Sequence, residues 1–177
     1  MTDELGPLQP VTVARLLRIS LSVLSSELAA LPDDLLSWHP APGEWCIKEV
    51  LGHMIETERR GFAGRIQIIL ESANPAIVPW NPDAVARERN DRAKEIGVLL
   101  DEFRAMREAS ISMVMGLGDA DLRRGARHPQ IGDLRVVDLL HEWVYHDGDH
   151  LKQILSVVQS FAWPHMGATQ RFYQPEA

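Results

Sequence analysis

Cysteine occurs once in this chain, as Cys46. A lone thiol closes no intrachain disulfide and builds no cysteine-based metal cluster. Long hydrophobic runs are missing too: nothing approaches the roughly 18 consecutive apolar residues of a membrane helix. The opening "MTDELGPLQP" has acids and prolines where a secretory leader carries an apolar stretch. These absences lead us to expect a cytoplasmic protein. Positive charge is in deficit, with 18 Lys and Arg against 25 Asp and Glu, a formal charge of −7. The basic residues, among them Arg15, Arg59, Arg60, Arg87, Arg89, Arg123 and Arg124, are scattered and most have acids nearby. Phosphate binding needs a concentrated basic surface, so no nucleic-acid partner is expected. There is no internal repeat or low-complexity tract, and no segment alternates with the period of two that marks a half-buried strand.

What is present is helical periodicity. At 177 residues the chain is long enough to bury a substantial core, and one domain over residues 1–177 is expected. Apolar residues recur at three-four spacing in four segments, roughly Val11–Leu31, Ile47–Glu71, a third from about Ile96 to Leu117, and Leu134–Phe161. The sequence predicts an all-α fold, a bundle of four helices. Prolines and many glycines gather in three connections, "PDDLLSWHPAPGEW", "SANPAIVPWNPD" and "GLGDADLRRGARHPQIGD". Each is on the order of 12–18 residues, against two to eight in simple up-down bundles. Such a loop can travel the length of a helix and return the chain parallel to it, and the second is the best candidate for that crossover. Before the second helix, Cys46 falls at the N-cap and Glu49 at the capping-box position three residues on. Cysteine is a weak cap.

Seven histidines remain to be placed. His146 and His150, in "HEWVYHDGDHLKQI", continue the rhythm Trp143, Ile154, Val157 and therefore point inward. Two buried imidazoles need partners, because an unpaired buried polar group costs about 1–3 kcal/mol. One metal ion would satisfy both, since residues four apart on a helix reach a single point. A third ligand would come from another helix, and His53, one turn beyond Val50, is the best candidate. Hydrogen-bonded core histidines are the alternative, and the spacing alone leaves both open. Three imidazoles with no thiolate or carboxylate leave coordination positions for water or substrate. The zinc-protease pattern HExxH is absent. Glu56, Glu142 and Asp149 each lie within a turn of one of these histidines. Each is a candidate to orient a ligand or take a proton, or is simply a solvated charge. His39, His128, His141 and His165 are expected at the surface or in loops, and the five tryptophans in the core. Gly148, inside the fourth helix, marks either a close approach or a tolerated glycine on a solvent face.

Two stretches carry a family resemblance. "PAPGEWCIKEVLGHMIETE" resembles the second-helix signature of the DinB/YfiT-like superfamily, where a Pro-Gly-x-Trp-Ser/Thr segment leads into a histidine-bearing helix. "GDLRVVDLLHEWVYHDGDHLKQI" resembles its fourth-helix signature, His-x-x-x-His followed by Gln-Ile. The resemblance covers most of the chain in order and spacing. It implies an up-down-down-up four-helix bundle with long connecting loops, usually a homodimer, and a divalent metal held by His53, His146 and His150. Zinc or nickel is the expected ion, with iron a further option. It also implies an enzyme that transfers a low-molecular-weight thiol to a small electrophilic substrate, or a hydrolase. A non-enzymatic metal-binding or stress-response bundle is the alternative. Two positions depart from the pattern: Cys46 replaces Ser or Thr, and Arg135 stands where a threonine often caps the fourth helix. Finally, the tail "FAWPHMGATQRFYQPEA" holds Phe161, Trp163, Phe172 and Tyr173 around Pro164, which should end the helix. These aromatics need cover from the bundle itself or from a second copy.

Overall fold

The computed structural model describes residues 6–73 and 75–173. Four long helical stretches dominate. Helix α1 (Pro10–Ala30) opens with Pro10 in the first turn, where its missing N–H costs nothing, and stops before Pro32. A short α2 (Asp33–Leu36) follows. The second long stretch is split into α3 (Ile47–Glu56), a π-turn (Thr57–Gly61) and α4 (Ala63–Glu71). Its start is as expected: the Cys46 N–H donates to Glu49 Oε2 at 2.8 Å. Helix α5 (Pro82–Arg89) lies in the second connection, capped by Asn81, whose Oδ1 accepts from the Ala84 N–H. Helices α6 (Ile96–Met115) and α8 (Val136–Ala162) complete the bundle, with a short α7 (Asp119–Leu122) between them. Arg135 solves its own capping problem, its N–H donating to Asp138 Oδ2 at 2.9 Å while its guanidinium pairs with the same carboxylate.

Contacts across the bundle fix the chain directions. Leu8 bonds His141 and Ser20 bonds Asp147, so α1 and α8 run parallel. Trp143 reaches Glu58 while His150 and His146 meet His53, so α8 runs against α3. Helix α6 meets α3 in parallel, with Leu99, Leu100 and Phe103 beside its start and Ser110 bonding Glu58 beyond its end. The order is up-down-down-up, and the second connection is the crossover. Helices α1 and α3 therefore lie diagonally across the bundle, as do α6 and α8: α1 packs on α6 and α8, and α3 packs on the same two.

The core falls into two apolar halves. One gathers Val13, Leu17, Phe62, Ile66, Val114 and Trp143; the other Leu24, Leu28, Val50, Leu51, Phe103 and Ile154. A polar layer separates them. Arg107, buried from solvent, donates to Asp147 Oδ1 at 2.9 Å and pairs with Glu58 Oε1 at 2.7 Å. Ser20 bonds Arg107 and Asp147, while Ser110 and the Trp143 indole N–H donate to Glu58. Every long helical stretch contributes to this layer.

Several elements differ from the sequence reading. The second helix is not continuous: the Phe62 N–H donates to the Thr57 carbonyl at 2.7 Å, five residues back. The third connection holds an antiparallel hairpin, β1 (Gly125–His128) and β2 (Gly132–Arg135). Too short to show an alternating pattern, it is held to the crossover by an Ala76–Arg127 bridge. His128 is buried on this hairpin rather than exposed. Only Trp143 is fully buried among the tryptophans; Trp38, Trp45 and Trp80 are half-buried and Trp163 is exposed. Helix α8 ends ahead of Pro164, as expected, and Phe161 packs edge-on against Trp38 with ring centres 5.3 Å apart.

Two helical glycines behave oppositely. A Cβ on Gly52 would lie 1.8 Å from the Asp91 carboxylate, which is itself buried and held by Arg89 and Lys94. A Cβ on Gly148 would meet nothing within 4 Å. Gly148 is thus the tolerated glycine, and the close approach sits at Gly52. Gly148→Ala should stabilise the protein by up to about 1 kcal/mol through helix propensity. Gly52→Ala should cost about 1–3 kcal/mol by overpacking. Urea unfolding of both variants checks the pair, and equal midpoints would contradict it.

Candidate metal centre

His53 projects from α3, and His146 and His150 from successive turns of α8. The structure brings all three rings together at the level of the polar layer, with centres 4.3–5.2 Å apart. They converge through the same atom. His53 Nε2 lies 3.2 Å from His146 Nε2, which lies 3.1 Å from His150 Nε2. A tetrahedral ion with nitrogens at about 2.0–2.1 Å would set them about 3.3 Å apart. Three nitrogens can share protons pairwise, but one cation satisfies all three lone pairs at once. The donor set fits a divalent metal.

The surroundings prepare the nitrogens for that role. Burial, then the neighbouring His150 and His146, push His53 down to about 3. Burial, then His150 and Arg107, push His146 down to about 3 as well. Both rings are therefore neutral near pH 7, the form that ligates metal. His150 is oriented from behind, its Nδ1 lying 2.7 Å from Gln153 Oε1. Since Gln153 Oε1 can only accept, this places the His150 proton on Nδ1 and frees Nε2. Aromatic walls hold the other two rings. Trp45 and Trp80 flank His53 at 5.0 and 5.8 Å, and Phe62 stands edge-on to His146 at 5.1 Å. A cleft of about 380 Å³ adjoins the centre, lined in part by Trp45, Gln153, Ser156 and Asp83.

None of the three acids singled out from the sequence touches a histidine. Glu56 is buried but engaged by Arg59, Arg60 and Arg89, the last two at 2.7 and 2.8 Å. Glu142 is exposed, and Asp149 is exposed beside Lys152. Glu56 thus braces arginines, because its neighbours at three and four positions along the helix are Arg59 and Arg60, while α5 delivers Arg89. The sequence reading overlooked Gln153 and Trp80. Gln153 had a signal, lying three residues beyond His150 on the same helical face. Trp80 had none, since only the crossover's path brings it to His53. Of the remaining histidines, His39 and His165 are exposed, and His141 is half-buried between the Leu8 N–H and the Val137 carbonyl.

Several known proteins are similar to this chain. "Putative metal-dependent hydrolase OB0782" of Oceanobacillus iheyensis is 22% identical over 141 residues, covering 80% of this chain and 81% of its own. "Putative metal-dependent hydrolase BcerKBAB4_2443" of Bacillus mycoides is 22% identical over 121 residues, covering 68% and 69%. Among solved structures, YfiT from Bacillus subtilis, described as a probable metal-dependent hydrolase with an unusual four-helix bundle topology, superposes with a TM-score of 0.80. It shares 18% identity, over 92% of this chain and 93% of its own. The DinB superfamily model matches residues 16–154, from within α1 to just past the histidine pair on α8. The chain belongs to the DinB superfamily.

Proposed function

We propose that this protein is a cytoplasmic metal-dependent enzyme acting on a small molecule, with His53, His146 and His150 as the ligands of a zinc or nickel ion. The convergence of three Nε2 atoms, at 3.1 and 3.2 Å from one another in sequence around His146, carries the reading. A divalent ion there supplies Lewis acidity, favouring the anionic form of water or of a thiol near neutral pH. The chain's own residues do the rest. Gln153 fixes the proton of His150 on Nδ1, Trp45 and Trp80 exclude water from one side of His53, and the cleft beyond Trp45 offers room for substrate. Hydrolysis is the first reaction to test, because both curated relatives named above are called metal-dependent hydrolases. Transfer of a low-molecular-weight thiol is the second, supported by the resemblance of the two helix signatures. We also infer a homodimer, supported by the exposed Trp163, Phe172 and Tyr173.

The test is metal analysis of tag-free protein, followed by hydrolysis and thiol-conjugation screens with the metal restored. About one equivalent bound at the three histidines, with turnover lost on chelation and regained on refilling, is the expected result. Turnover that survives complete metal removal would end the proposal.

A further inference from the structure

A second group of metal-ligating side chains lies outside this centre. His39, Cys46 and Glu49 each offer one ligand atom, and the three atoms all lie within 4.8 Å of one another. We propose that they form a second, surface-facing zinc site at the entrance to α3.

The donors are chemically matched to that ion. Zinc accepts imidazole nitrogen, thiolate sulfur and carboxylate oxygen together, whereas magnesium and calcium take oxygen and avoid sulfur. The three residues fall within one short segment, so closing the chelate orders little chain. Cys46 and Glu49 occupy the N-cap and third positions of one helix turn and share a face. The preceding loop, turned by Gly43 at φ +85°, brings His39 back until its Nε2 stands 2.8 Å from Glu49 Oε2. The layering suits a three-ligand site with an outward opening. The Cys46 thiol lies beneath, fully buried, while the His39 side chain is 37% exposed above it. On binding, the S–H bond breaks, the sulfur–zinc bond forms, and the proton leaves to solvent through the His39 side. Without the ion, burial pushes the thiol up to about 11, so free Cys46 is an unreactive thiol. The site also accounts for a residue that is otherwise a poor choice, because Ser or Thr would cap this helix better than cysteine.

Cobalt(II) titration of the metal-stripped full chain separates this site from the three-histidine centre, which has no sulfur. Two equivalents should bind, one of them with a thiolate-to-cobalt charge-transfer band, and zinc should bleach that band. Cys46→Ser should fold at least as well, keep one equivalent and lose the band. His39→Ala should weaken the band's half-saturation by about 10-fold or more. His146→Ala should leave the band in place, so failure at the main centre cannot be mistaken for failure here. A single equivalent without a sulfur band, or a band unchanged in Cys46→Ser, would overturn the proposal.

Discussion

Bound metal at the main centre is expected to fall by about 10²-fold in affinity in His150→Ala, with the helical signal of the bundle intact. Structural zinc in small domains is worth about 10–16 kcal/mol over four ligands, or roughly 3 kcal/mol per ligand, which corresponds to that factor. Folding should survive because His150 sits between the two apolar halves of the core and belongs to neither. Gln153→Ala should give a graded effect. It removes the acceptor for His150 Nδ1 while leaving every ligand, and loss of such an orienting partner costs about 10–100-fold in affinity. Competition with a chromophoric chelator measures both variants, and circular dichroism reports the fold. Unchanged affinity in His150→Ala would exclude it as a ligand, whereas unfolding would assign the ion a structural role.

A larger loss of stability is expected one layer inward. Arg107→Met should lower the unfolding free energy by about 3–5 kcal/mol, because it strands two buried carboxylates, Glu58 and Asp147, without their cation. The pair's net worth is a separate quantity, since burying three charges carries its own desolvation cost. Neutralising the acids as well, in Arg107→Met with Glu58→Gln and Asp147→Asn, should therefore recover much of what the single substitution loses. Urea denaturation of the two variants distinguishes these cases. A single variant within about 1 kcal/mol of the parent would mean that the layer is hydrated or loosely held.

The parts legible in the sequence were those written locally. Three-four spacing located the four helical stretches to within a few residues. The same spacing turned His146 and His150 inward, and the position of His53 on a second stripe made it the candidate partner. Proline content marked the crossover. What escaped were features set by distant partners. Arg107 has nothing in its own helix to reveal that it is buried, because Glu58 lies 49 residues before it and Asp147 40 after. Asp147 stands next to a candidate ligand yet serves the layer instead, since one residue along a helix turns the side chain by about 100°. Glu56 has the right distance from His53 to assist it, but Arg89 arrives from α5 and claims the carboxylate. The hairpin is four residues per strand, too short to show a period against its turn-rich surroundings.

The π-turn at Thr57–Gly61 acts as a change of phase between the two halves of one helix. Ahead of it, His53 faces His146 and His150; behind it, Phe62 stacks on Trp143 with ring centres 5.1 Å apart. An unbroken α-helix advances about 100° per residue, so one residue fewer would swing one half against the other by that angle. Either His53 would turn away from the pair on α8, or Phe62, Ile66 and Ile69 would leave the core. The wider turn reconciles two sets of partners that a uniform winding could not face together. One helix thereby serves the histidine cluster at one end and the packed interior at the other.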